Sequence, residues 1–215
     1  MKNKILSVIK SLILALFAVS FSIAVPILWR GFYYLHIKFL RLSESTGFSY
    51  DTIKNAFDDM MNYIWRDAPF KTGLLKWSDE GMQHFADCKL LFKFDIYVLI
   101  FSFISIVIIF FIERRLKPHF FLKLSPEFWS GIFVITFFAS ISLIAAYNFE
   151  NAFTAFHKLF FPNKTNWIFD HRYDEIILIL PIEYFRNCAI LAVGLIVLFC
   201  IIYICSGLKK SKASR

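Results

Sequence analysis

The sequence predicts a mainly α-helical membrane protein, a four-transmembrane-helix bundle whose two extracytoplasmic loops form a small cap. Two observations predict it: four long apolar stretches that are almost free of charge, and an uneven distribution of Lys and Arg between the segments that connect them. Of the 215 residues, 58% are apolar, whereas soluble domains are nearer one half. The length suits a single integral membrane domain over residues 1–215.

The four apolar stretches match the thickness of a bilayer, which a helix of about 20 residues crosses. They cover residues 11–29, 95–112, 128–147 and 188–207. The only charge within them is Asp95, at the start of the second stretch. Buried helices of soluble proteins rarely stay uncharged over such lengths, so we expect four transmembrane helices. The first stretch resembles a signal peptide, but its apolar run continues through Leu28, which favours an uncleaved anchor.

The distribution of basic residues predicts the orientation of the chain in the membrane. With the N-terminus inside, the cytoplasmic segments contain 11 basic and two acidic residues: Lys2, Lys4, Lys10, Arg114, Arg115, Lys117, Lys123, Lys209, Lys210, Lys212 and Arg215, against Glu113 and Glu127. Both termini are therefore expected in the cytoplasm, and the loops 30–94 and 148–187 outside. The net charge of +8 reflects this topology, and no nucleic-acid partner is expected.

The first outer loop is predicted to contain one strand and two helices. Residues 34–42 alternate loosely between apolar and polar side chains, which is typical of a strand. Asp51 can cap a following helix whose apolar positions recur with helical spacing up to Ile64. Ser78, followed by two acidic residues, starts another helix that can run without a break into the second span.

The second outer loop is predicted to begin as an outward extension of the third span that ends at Phe161-Pro162. The apolar run 176–180 is too short to cross a bilayer and suits a short strand or a segment that dips to the interface. The four cysteines form no CxxC pair, and a bridge between Cys88 and Cys188 is left open.

The candidate chemistry lies on these outer loops, at two histidines. His84 and His157 each stand about ten residues outside a span. Histidine accepts and returns protons near neutral pH without large tuning. Asp87 lies one helical turn after His84, where it can orient the imidazole. Glu183, after the proline that ends the apolar run, adds a carboxylate near the interface. The alternatives are that the histidines and Glu183 are solvated surface residues, and that Asp87 only pairs with a nearby Lys or faces water.

Several common catalytic motifs are missing from the sequence. There is no GxSxG nucleophile elbow and no HExxH zinc motif. The outer-loop His and Asp residues lack the close spacing of a zinc site. No metal and no cofactor are therefore expected.

Two segments resemble the lipoprotein intramolecular transacylase (Lit) family of Gram-positive bacteria. The segment His84–Lys89 looks like that family's H-x-x-D-[VC]-K motif before its second span. The other runs from Phe156 through Trp167 to Glu183. The four-span layout agrees as well, so the resemblance covers nearly the whole chain. In the family an acidic residue usually follows the proline at once, whereas here Ile182 intervenes.

The resemblance implies an activity in the outer leaflet of the membrane. The family moves the sn-2 acyl chain of a diacylglyceryl lipoprotein to the α-amine of the lipidated N-terminal cysteine, giving a lyso-form lipoprotein. The implied catalytic residues are His84 and His157, with supporting roles for Asp87, Trp167 and Glu183. The implied partners are the lipoprotein substrate and the phospholipid membrane.

Two other functions stay open at this point. One is a non-catalytic membrane scaffold or sensor that binds a partner through its outer loops. The other is a membrane hydrolase or acyltransferase that forms an acyl-enzyme intermediate.

Overall fold

The computed structural model describes residues 2–116 and 118–213. Lys117 and Arg215, which count toward the charge asymmetry, lie outside the described residues. The described residues form helices and no β-strand. The helices are α1 Lys2–Leu28, α2 Arg30–Phe39, α3 Leu42–Thr46, α4 Tyr50–Arg66, α5 Asp79–Glu113, α6 Pro126–Tyr147, α7 Phe149–Phe160, α8 Ile176–Ile179 and α9 Ile182–Ala213.

Four of these helices, α1, α5, α6 and α9, are long and apolar enough to cross a membrane, which confirms the four predicted spans. Helix α5 has 35 residues, a length of about 50 Å, whereas a bilayer core is only about 30 Å thick. Its charged side chains other than the terminal Glu113 all lie between Asp79 and Asp95. The stretch 95–112 therefore remains its membrane-crossing part, and the turns before it lie outside the span.

The chain divides into two compact units. The span unit comprises the described residues of the stretches 1–25, 94–146 and 190–215. The loop unit comprises residues 26–93 and 147–189. All five predicted site residues belong to the loop unit.

Two features hold the span unit together. A Cβ atom on Gly207 would lie 2.5 Å from the amide nitrogen of Phe128, so α9 and α6 pack there backbone against backbone. Beside this contact, Glu127 is only 5% exposed and pairs with Lys10 on α1 and Lys210 on α9, each at 2.6 Å. Lys10 also pairs with Glu113 on α5, at 2.5 Å. This ion cluster therefore links all four long helices.

The loop unit has an aromatic and aliphatic core. Tyr33 of α2 stacks on Phe57 of α4 with ring centroids 3.7 Å apart, and its hydroxyl donates to the carbonyl of Ile179 in α8 at 2.8 Å. The apolar positions predicted for α4, including Ile53 and Ile64, are all buried. The N-cap of this helix is Ser49 rather than Asp51, because the Ser49 hydroxyl accepts the amide of Thr52.

Three further predictions about the outer loops differ from the structure. Residues 34–42 form most of α2 and no strand, because Tyr33, His36 and Ile37 are buried at helical spacing while the alternating Leu35 and Phe39 are exposed. Of the two structures considered for the run 176–180, the strand is wrong, because Ile176–Ile179 form the short helix α8; the segment that dips to the interface stays a prediction. Helix α7 does not continue α6, since the side chain of Asn148 caps a new helix by accepting the amide of Asn151 at 2.9 Å.

Two further features concern α5 and the cysteines. The Ser78 hydroxyl accepts the amide of Gly81 at 3.0 Å, which confirms Ser78 as the start of α5, and the helix runs unbroken into the second span. All four cysteines are free, so the open possibility of a Cys88–Cys188 bridge is not realised.

Candidate active site

Helices α5 and α7 place His84 and His157 side by side within the loop unit. Their ring centroids are 5.7 Å apart. The side chains are 5% and 7% exposed. The two histidines chosen from the sequence therefore form one buried pair, close enough for a single substrate group to contact both rings.

His157 carries a defined tautomer. Its Nδ1 lies 2.8 Å from the carbonyl oxygen of Phe153, one turn earlier on α7. A carbonyl only accepts hydrogen bonds, so the proton sits on Nδ1 and the lone pair on Nε2. Burial lowers the pKa of His157, although the Phe153 carbonyl raises it. Nε2 is therefore a neutral base.

His84 lies in more apolar surroundings than His157. Burial, reinforced by the neighbouring His157, lowers the pKa of His84 to about 4. Its Nε2 lies 3.4 Å from the sulfur of Cys88, and its Nδ1 is buried without a hydrogen-bond partner in the described part of the chain. Such an atom costs about 1–3 kcal/mol, so Nδ1 is a polar group that a ligand can satisfy.

Asp87 does not form the hydrogen bond to His84 that the helical spacing suggests. Its carboxylate instead accepts Lys164 Nζ at 2.5 Å and Asn166 Nδ2 at 3.1 Å. These bonds anchor residues 161–168, which we call the Trp167 loop, to α5. In that loop the indole N–H of Trp167 donates to the carbonyl of Lys164 at 2.9 Å.

The Trp167 loop reaches the histidine pair through its aromatic rings. The Trp167 ring lies 4.9 Å from the ring of His157, and Phe161 lies edge-on to His84 at 5.1 Å. Asp87 therefore positions the wall of the site rather than the imidazole of His84. The sequence analysis missed Lys164 and Asn166, and their only local signal is that they lie between the motif residues Phe161 and Trp167.

Two other polar residues of the loop unit, Glu183 and His36, form no hydrogen bond or ion pair with this pair in the described part of the chain. Glu183 is half-buried in the first turn of α9, and among the described residues it has no hydrogen bond or ion pair to either catalytic candidate. Its supporting role stays a prediction. His36 is buried, and its ring nitrogens bond the carbonyl of Phe32 at 2.7 Å and the side-chain amide of Asn187 at 3.0 Å.

The comparisons with known proteins agree with this architecture. Three solved structures of the membrane-integral lipoprotein intramolecular transacylase Lit from Bacillus cereus resemble the chain. The first has a TM-score of 0.88 at 26% identity and covers 99% of this chain and 98% of its own. The second, with a histidine replaced by arginine, has a TM-score of 0.81 at 26% identity, and the match covers 100% of this chain and 95% of that structure's chain. The third, with a histidine replaced by alanine, has a TM-score of 0.80 at 25% identity and covers 99% and 96%.

The family comparison identifies the class of the protein. The family model described as "Lipoprotein intramolecular transacylase Lit" matches residues 8–185. No curated protein sequence matches the chain. With its four spans, the chain is a membrane-integral acyltransferase. It belongs to the lipoprotein intramolecular transacylase (Lit) family.

The Asp87 contacts predict that the rate losses caused by replacing Asp87 and Lys164 will not add. Asp87→Asn and Lys164→Met should each slow transacylation by about tenfold, and the double variant should be no slower than either, because residues in one hydrogen-bonded unit act together. Asp67→Asn is the control, since it removes an exposed carboxylate that pairs with Lys89 of α5, the helix that also carries Asp87. The rate loss of Asp87→Asn could instead add to that of Lys164→Met but not to that of His84→Ala. In that case Asp87 orients the imidazole of His84 and its proposed anchoring role is wrong.

The lowered pKa of His84 predicts a loss of stability in mild acid. Below pH 6.5 the unfolded state binds a proton at this residue, whereas the folded state does so only near pH 4, so acidification favours unfolding. Between pH 6.5 and pH 5 the effect is roughly 2 kcal/mol. Thermal unfolding in detergent should show a lower Tm at pH 5 than at pH 6.5. This fall in Tm should be smaller in His84→Gln. The exposed imidazole of His171 gives the control, because His171→Gln should leave the fall unchanged. An equal fall in all three proteins contradicts the assignment.

Proposed function

We propose that the chain moves the sn-2 acyl chain of a diacylglyceryl lipoprotein to the α-amine of its N-terminal cysteine. The product is an N-acyl, S-monoacylglyceryl lyso-form lipoprotein. The observation that carries this proposal is the buried pair of neutral histidines, in which His157 offers a free Nε2 lone pair and His84 an unpartnered Nδ1.

The chemistry needs proton transfer more than it needs an enzyme nucleophile. The ester and the amine belong to one molecule, so proximity supplies much of the rate. The amine nitrogen attacks the ester carbonyl carbon, the new C–N bond forms, and the C–O bond to glycerol breaks. His157 Nε2 accepts the proton from the nitrogen and returns it to the glycerol oxygen as that oxygen leaves. His84, with its proton on Nδ1, donates to the oxygen that gains negative charge.

The aromatic surroundings favour aminolysis over hydrolysis. Phe153 lies 4.3 Å from the His157 ring, and Phe169 lies 5.4 Å from the His84 ring. Together with Trp167 these rings exclude water, which otherwise competes with the amine for the ester. Exclusion of water also strengthens each hydrogen bond to the developing charge.

An acyl-enzyme route is disfavoured by the nearest thiol. Cys88 lies beside His84, as a cysteine nucleophile would. Burial, however, raises the pKa of Cys88 to about 12, and the reactive species is the thiolate. A Cys88–His84 pair of this kind stays protonated on sulfur at neutral pH.

The orientation of the chain is part of the proposal and rests on the distribution of Lys and Arg. Both termini are cytoplasmic, and the histidine pair faces outward from the cell membrane. Alkaline phosphatase, which is active only outside the cytoplasm, should be active when fused after Lys76 or Asn163 and inactive after Lys123 or Lys210. Activity at Lys123 would overturn the orientation.

The histidine pair is tested by single replacements. His157→Ala and His84→Ala should each lower the rate of lyso-lipopeptide formation by about two to four decades, the range of general acid–base groups. His171→Ala, which removes an exposed outer-loop imidazole, should retain the wild-type rate. Mass spectrometry of a synthetic diacylglyceryl lipopeptide, at matched levels of purified enzyme, measures all three. Near-normal product from either pair variant removes that residue from the mechanism.

A further inference from the structure

A polar cleft of about 580 Å³ opens on the loop unit beside the histidine pair. One wall is the first turns of α5, including Glu80, Gln83 and Asp87. The other is formed by residues 163–174, including Asn166 and Phe169. We call this cavity the polar cleft.

The polar cleft shares its wall with the site. Phe169 lines the cleft, and its ring also lies 5.4 Å from the ring of His84. The hydrogen bond between Asp87 and Asn166 lies in the same wall. A substrate held at the histidine pair is therefore next to the cleft.

The lining of the cleft is polar and acidic. Glu80, Asp87, Asp170 and Asp174 line it, with Lys164 as the one basic residue among the described lining residues. Glu80 is exposed and forms no ion pair in the described part of the chain. Asn166 donates its amide to Asp87, while its Oδ1 is buried without a partner. The cleft thus offers the exposed, unpaired carboxylate of Glu80, whereas the buried Oδ1 of Asn166 is not accessible to a ligand.

We propose that the polar cleft binds the peptide that follows the lipidated cysteine, and that it favours a basic residue there. This inference rests on the proposed function. The acyl chains of such a substrate suit apolar surroundings, but the peptide backbone needs hydrogen-bond partners and cannot lie among the Phe rings. The exposed amide of Gln83, which lines the cleft, can bond the peptide backbone, and Glu80 attracts Lys or Arg across the cleft.

Three synthetic substrates test the peptide preference. All carry a diacylglyceryl cysteine with a free α-amine: one ends there as an amide, one continues with Gly-Lys-Lys, and one with Gly-Glu-Glu. At low salt, kcat/KM should be about two- to fivefold higher for the lysine than for the glutamate peptide, the range of an exposed ion pair. The preference should shrink at high salt. Equal values for both peptides overturn the inference.

Two variants locate the effect in the cleft. Glu80→Lys should abolish or reverse the preference, whereas Asp79→Lys should keep most of it, because Asp79 occupies the same exposed first turn but does not line the cleft. Gln83→Trp should raise KM for both peptides several-fold and leave the amide unchanged. Equal effects of the two lysine variants, or an equal KM increase with the amide, contradict the assignment.

The same assay separates the two proposals. If the wild-type enzyme forms no N-acyl product from any of the three substrates, the proposed function is wrong. If all three are converted at equal efficiency in the wild type and in the cleft variants, transacylation stands and the peptide-binding role of the cleft is wrong.

Discussion

The contact of Asp87 with Lys164 and Asn166 is the interaction on which the site depends. It joins residues 77 positions apart in the sequence and fixes the Trp167 loop against α5. An ion pair of this exposure contributes little to global stability, typically less than about 1 kcal/mol. Its importance is geometric, because it places Trp167 against His157. Catalytic geometry tolerates errors of only fractions of an ångström, so a weak contact can still decide the rate.

The histidine pair itself departs from what stability alone would favour. An imidazole nitrogen of His84 is buried and unpaired, and both rings are held neutral by burial. Each feature costs free energy in the ligand-free protein. The aromatic packing of the loop unit, such as Tyr33 on Phe57, offsets this cost elsewhere. Local departures of this kind are typical of functional sites, where a substrate supplies the missing partner.

The sequence predicted those elements whose signals are local and strong. The four spans follow from composition, and Ser78 marks the start of α5 by its own capping chemistry. The strand predicted over 34–42 failed because Ile37 fits both an alternating and a helical pattern, and its burial beside Tyr33 became visible only in three dimensions.

The sequence singled out the two histidines of the candidate site but not their geometry. His84 and His157 were both chosen from the sequence, yet their contact requires α7 to break from α6 at Asn148. A single asparagine among apolar residues gave little indication of that break. The partner of Asp87 was missed for a different reason, because Lys164 lies in an irregular segment where periodicity carries no information.

The ion cluster of the span unit has a consequence for how the protein is made. Glu127 binds Lys10 and Lys210, the second of which is synthesised 83 residues later. At ordinary translation rates that is a delay of roughly 5–15 seconds. During this interval the carboxylate has only its earlier lysine partner, which also serves Glu113. Assembly of the four helices is therefore complete only when the last one is made, and until then Glu127 lacks one of its two lysine partners.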